Sequence, residues 1–179
     1  MKKLTNIFCL ILMVFLTFSL AGCNDNDSDD TKAQNVITKY VNTYYTIDKN
    51  DIETYRKLVG GMKDINELDA LTKSTWEKFK PLTTDTAYHE ITASLMTYRR
   101  IKEASAKKYY VTVKDIKLEK YSEDKEKQML VYYYEIELTQ TSISGSETKS
   151  VKDKKQITIS KVKGDWKVEH FSANDGYQY

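Results

Sequence analysis

Two hydrophobic periods divide this chain, and a largely apolar run precedes them both. That run extends from Leu4 to Leu20, stops at Ala21-Gly22-Cys23, and gives way to Asn24–Asp30, which has no apolar side chain. From Thr31 the apolar residues recur at helical spacing. Val36, Ile37, Tyr40, Val41, Tyr44 and Ile47 fall on one face of a first helix. After Asp48-Lys49-Asn50, the pair Asn50 and Glu53 has the spacing of a capping box. The second helix it would open carries Ile52, Tyr55, Leu58 and Val59 and is closed by Gly60-Gly61. A third helical segment spans Asp64–Lys80, with Ile65, Leu68, Leu71, Trp76 and Phe79, and ends at Pro81. A fourth, from Asp85 to Ala104, is predicted as one helix striped by Tyr88, Ile91, Leu95, Tyr98 and Ile101.

Past Lys107 the period switches to two. Tyr109, Val111 and Val113 alternate, then Ile116 and Leu118 continue on the opposite phase, which predicts a bulge near Lys114-Asp115. Leu130, Tyr132, Tyr134, Ile136 and Leu138 make an apolar face, with Glu135, Glu137 and Thr139 on the other. Such alternation predicts an antiparallel sheet packed on one side and wet on the other. Ile157 and Ile159 mark a third strand, Lys163-Gly164-Asp165 a tight turn, and Trp166–Phe171 a fourth strand. In that strand His170 is in phase with Trp166 and Val168. The polar tail Ser172–Tyr179 could continue the strand, pair with a partner or fray.

Helices followed by four antiparallel strands define an α+β domain, with N-terminal helices packed on a curved four-stranded sheet. The element order resembles the cone-shaped nuclear transport factor 2-like and cystatin-like folds. The closing hairpin Lys161–Phe171, with its Gly-Asp-Trp turn, resembles the last hairpin of many secreted members.

The apolar run, read with Met1-Lys2-Lys3 before it, has the layout of an export signal. It is marginal for a membrane span, which needs about 20 apolar residues. Leu20-Ala21-Gly22-Cys23 resembles the lipobox of bacterial lipoproteins. That resemblance implies a diacylglycerol on the Cys23 thiol and cleavage after Gly22. It divides the chain into a signal peptide (1–22), a lipidated cysteine with an acidic tether (23–30) and one domain (31–179). The implied address is extracytoplasmic, lipid-anchored to a bacterial cell membrane, that of a Gram-positive cell.

Processing alters the composition. Loss of residues 1–22 removes Lys2 and Lys3 and leaves 26 basic and 26 acidic side chains, so the net charge of +2 belongs to the signal. Cys9 leaves with it and Cys23 is acylated, so no thiol remains for a disulfide, metal or nucleophile. Nucleic acid is not an expected partner. Arg99-Arg100-Ile101-Lys102 lies at a helix end, where cations complement the dipole, and Lys107-Lys108 and Lys152–Lys155 are interleaved with acids or precede strands, where lysine guards edges. His89 and His170 are the only histidines and lie on different elements, so no metal site and no cofactor are expected.

Enzymes of this fold class place an acid–base pair between sheet and helices. The candidates here are His170, Tyr132 and Tyr134, with Tyr45 and Asp48 at the end of the first helix. No spacing unites a base, its orienting partner and an electrophile, so no catalytic residue is assigned. Tyr132, Tyr134, Trp166 and His170 are instead expected to line a pocket or interface. The chain is expected to be a non-catalytic binding or protein-interaction module with an envelope protein as partner. Two alternatives stand beside it: an envelope component of a conjugation or type IV secretion apparatus, whose periplasmic assembly domains resemble this element order, and an isomerase or dehydratase of the same fold.

Overall fold

The first helix, α1 (Asp29–Tyr45), buries Ala33, Ile37, Tyr40, Val41, Tyr44 and Tyr45 on one face, as its apolar spacing dictates. The computed structural model describes residues 29–61, 64–145 and 147–172. The signal, the lipobox with Cys23, the first part of the tether and the tail beyond Ser172 therefore lie outside the described residues. Asp29 and Asp30, expected in the tether, form the first turn of α1, where carboxylates face the positive end of the helix dipole.

Helix α2 (Lys49–Val59) begins earlier than its expected Asn50 cap. Asp48 is the N-cap and accepts from the Asp51 amide at 2.9 Å, while the Asp51 carboxylate accepts from the Asp48 amide at 3.1 Å. This reciprocal pair satisfies two otherwise open amides, with a second Asp in the place usually taken by Glu. Helix α3 (Ile65–Glu77) is capped by Asp64, and its end delivers Trp76 and, just beyond, Phe79 into the core.

The long fourth helix divides in two: α4 (Asp85–Ser94), capped by the Thr84 hydroxyl, and α5 (Met96–Lys107). Between them Leu95 adopts a left-handed conformation (φ 53°) and is 52% exposed, so the expected apolar stripe is broken at its centre. Ile91 and Ile101 still reach the core, one from each helix. A single left-handed residue re-aims the chain without disturbing the residue types on either side, which is why the helical period did not reveal the break.

The strands β1 (Tyr109–Asp124), β2 (Met129–Ser142), β3 (Thr148–Val162) and β4 (Asp165–Phe171) form an antiparallel meander in the order β1-β2-β3-β4. The expected bulge lies between Val113 and Asp115, and a second falls between Lys120 and Ser122. Lys163 and Gly164 turn the last hairpin with φ of 53° and 93°, the type I′ signs that suit strand twist and favour glycine. Both edges of the sheet are tied to the helical layer. Ile47 exchanges two backbone hydrogen bonds of 2.9 Å with Val111 of β1, and Val168 of β4 donates to Leu82 and accepts from Thr84, each at 2.9 Å.

The core lies between α1 and the sheet. Leu130, Tyr132, Tyr134, Ile136 and Leu138 of β2 are all buried there, with Ile157, Ile159, Val168 and Phe171. Opposite them Tyr40 meets Phe79 and Phe171 edge-on, with centroids 5.9 and 5.1 Å apart, and Tyr44 meets Phe171 at 5.3 Å. Among the described residues, five helices on an open four-stranded antiparallel sheet make this an α+β fold, and those from Lys32 onward form one compact unit. Among the described residues no helix is long and apolar enough to cross a membrane.

Candidate functional site

The strand phase of β2 sends Tyr132 and Tyr134 inward, and both are closed off from solvent. The Tyr134 hydroxyl lies 3.1 Å from that of Tyr45 on α1. Burial, with the neighbouring Tyr45 adding to it, pushes the Tyr134 hydroxyl well above the usual phenol range, and burial does the same for Tyr40. These are neutral, inaccessible phenols, suited to packing. The space between α1 and the sheet, where an acid–base pair would be expected, is filled by Tyr40, Tyr44, Tyr45, Tyr134 and Phe171.

Arg100 enters this layer from α5. It is 6% exposed, donates to the carbonyl oxygens of Tyr44 and Tyr45 (the latter at 3.2 Å), and its guanidinium lies 4.7 and 4.4 Å from their ring centroids. Its charge thus complements the negative end of α1, not the end of its own helix as the sequence suggested. The π faces of two tyrosines supply the remaining stabilisation.

Strand β4 separates the other two expected site residues. Trp166 packs at the margin of the core, with the Lys161 ammonium 5.6 Å from its ring. Between Val168 and His170 the register with β3 slips: Val168 faces Ile159 and His170 faces Thr158, so Glu169 is the extra residue of a bulge. The slip inverts the phase. Phe171 points inward, while the His170 side chain is 69% exposed, its Nδ1 3.9 Å from a Glu90 carboxylate oxygen. His170 therefore does not join Tyr132, Tyr134 and Trp166 on one face. Asp48 is engaged in capping α2, and His89 is exposed on α4. Among the described residues no three His, Cys, Asp or Glu side chains come together as a metal site would need.

The outward face of the sheet carries a different arrangement. Register places Asp115, Glu137 and Lys152 in one cross-strand row and Lys117, Glu135 and Lys154 in the next. Glu137 is the hub, accepting from Lys114 at 2.6 Å and from Ser150 at 3.0 Å, with Lys152 at 3.6 Å. The Lys114 and Ser150 hydrogen bonds hold its carboxyl down at about 2, and Glu137 in turn raises Lys114. Lys154 bridges Glu119 (3.2 Å) and Glu135 (3.4 Å), and those carboxylates raise its pKa. The same ammonium sits 5.3 Å above Tyr133, whose ring meets the 62%-exposed Tyr121 at 5.1 Å. A hollow of about 290 Å³ opens between these rows. Charged and aromatic groups held in fixed register on an open sheet can read a protein surface, through hydrogen bonds and aromatic contact.

No protein-family model matches the sequence, and no curated protein sequence matches it. Solved structures do. A periplasmic fragment of TraM is similar, with a TM-score of 0.50 at 13% identity over 80% of this chain and 95% of that one. The intermembrane space region of the chloroplast protein ARC6 follows at a TM-score of 0.44 and 12% identity, over 81% and 95% of the two chains. The putative transfer protein TraH from the Gram-positive conjugative plasmid pIP501 gives 0.41 and 11%, over 82% and 94%. At such identities the TraM likeness is one of fold.

Sequence reasoning placed Glu135 and Glu137 on the wet face but could not name their partners. Lys114, Glu119 and Lys154 come to them only through strand register. Arg100 was missed for a related reason: nothing near it in sequence announces that its partners are the carbonyls of α1.

Proposed function

We propose that this chain is an extracytoplasmic module, held to the membrane by lipid on Cys23, that binds another envelope protein and does no chemistry of its own. The observation that supports this best is the occupied interior. Tyr45, Tyr132 and Tyr134, which a catalytic reading would use, are buried against one another and their neighbours, and His170 lies on the other side of the sheet. Binding then falls to the surface, and the ordered charge rows around Glu137 are its best-organised part. The fold likeness to a periplasmic fragment of TraM favours an envelope assembly, and within that class we assign the chain to a conjugation or type IV secretion apparatus of a Gram-positive cell.

The test is in-cell photocrosslinking from the sheet face. A photoreactive residue at Glu135 or Lys154 should yield a discrete adduct with a membrane or envelope protein. The adduct should be lost on Glu137→Lys, and the same probe at Lys57 of α2 should give none. Loss of function on His170→Ala in a folded protein would instead establish the enzyme reading.

A further inference from the structure

A second concavity, of about 410 Å³, lies on the helical side, where the end of α1, the start of α2, the end of α3 and the middle of α5 meet. That is the size of a small-ligand cleft, for which about 300–1,000 Å³ is usual. We infer that it binds a neutral, hydroxyl-rich ligand of the saccharide class.

Three features carry this, beginning with the polarity of the lining. The Thr43 hydroxyl donates to the Lys39 carbonyl at 2.8 Å, and Ser74 and Thr75 donate to that of Leu71 at 2.8 and 3.1 Å. Each hydroxyl proton is spent on its own helix, so the oxygens turn lone pairs to the cleft and their rotamers are fixed. Asp48 and Asp51 add carboxylate oxygens to the same lining. An acceptor-rich surface matches a ligand whose rim is O–H donors.

Charge comes next. Two carboxylates face one ammonium, Lys78, which pairs with Asp51 at 3.4 Å and so neutralises only one of them. The residual negative sign disfavours phosphates and other anions.

The third feature is an apolar wall. Tyr55 and Tyr98 bring rings to the cleft, and Tyr98 is held perpendicular to Trp76 with centroids 4.9 Å apart. A pyranose offers C–H groups on one face and hydroxyls at its rim, and a wall of rings beside fixed acceptors suits both. The capping box holds the Asp48 and Asp51 part of the lining in place, which lowers the ordering that binding requires.

Saturation-transfer difference NMR on the full chain in detergent micelles tests this. The probes are N,N′-diacetylchitobiose and cellobiose, with glucose 6-phosphate and putrescine as comparators. Transfer is expected to the ring C–H protons of a neutral disaccharide and to neither comparator. Asp48→Asn and Thr75→Val should each weaken binding by about tenfold, the loss of one hydrogen bond to a buried or charged acceptor. Asn caps a helix as well as Asp does, so Asp48→Asn keeps the cap through Oδ1 and replaces the other carboxylate oxygen by an NH2 donor. Silence from both disaccharides, binding by both variants as tight as that of the wild type, or preference for putrescine or the sugar phosphate would overturn the inference. The partner-binding role of the sheet face stands or falls separately, since its crosslinks come from the opposite side of the sheet.

Discussion

The Arg100 guanidinium lies over the ring of Tyr45, 4.4 Å from its centroid, and donates to that residue's own carbonyl oxygen at 3.2 Å. One side chain of α5 thereby closes the end of α1 and fixes the aromatic layer on which the sheet rests. Removing it takes a charged donor away from the Tyr44 and Tyr45 carbonyls at the buried end of α1. Arg100→Met is therefore expected to cost about 2–4 kcal/mol in urea unfolding. Arg100→Lys should recover little of this, because an ammonium cannot serve two carbonyls and two ring faces as a planar fork does.

The bulge at Glu169 assigns opposite fates to adjacent residues. His170→Ala should change stability by no more than about 0.5 kcal/mol, as for exposed positions generally. Phe171→Ala, which empties a site against Tyr40 and Tyr44, should cost about 3–5 kcal/mol. Equal effects in thermal or denaturant unfolding would contradict the inverted phase.

Tyr45 and Tyr134 should couple. Tyr45→Phe strands the buried Tyr134 hydroxyl and is expected to cost about 1–3 kcal/mol. Adding Tyr134→Phe should return part of that loss, so a double-mutant cycle yields a favourable coupling of at least about 0.5 kcal/mol.

The hub at Glu137 sets a pH window. Its carboxyl is held near 2 in the folded chain by Lys114 and Ser150, against about 4.3 for a free glutamate. The stabilisation it gives is complete above the free value and is lost as pH falls toward 2. Lys114 is shifted upward, so its share is complete below the free lysine value of about 10.4 and is lost as pH rises beyond it. A ¹³C NMR titration should find the Glu137 carboxyl well below the free glutamate value of about 4.3. Glu137→Gln should flatten the acid limb of thermal stability between about pH 4 and pH 2, and added salt should weaken the same contribution.

Leu95 offers a stabilising substitution. It holds a left-handed backbone conformation with its side chain 52% exposed, so Leu95→Gly relieves strain and removes little packing. A gain of about 0.5–1 kcal/mol is expected, the reverse of the usual effect of glycine in a helical stretch.

These contrasts also mark what could be read in the sequence. The alternation from Leu130 to Leu138 specified a one-sided strand, and each of its inward residues is buried, because period two leaves no other face for them. The out-of-phase restart at Ile116 likewise announced the first bulge of β1. The bulge at Glu169 escaped notice because the strand after it is too short to restart a pattern: Phe171 alone carries the new phase. At α2 the sequence Asp48-Lys49-Asn50-Asp51 holds several capping residues, and local chemistry could not rank them. Arg100 and the rows around Glu137 depend on contacts between residues far apart in sequence, so they became visible only once register and helix packing were fixed.

Metabolic labelling with an alkyne-tagged fatty acid tests the proposed lipid at Cys23 directly. The wild-type chain should take up label, fractionate with membranes and have lost residues 1–22 by intact mass. Cys23→Ser should be unlabelled and accumulate as the full-length precursor. Label that survives the substitution, or an unlabelled wild-type chain that keeps its first 22 residues, would contradict the account.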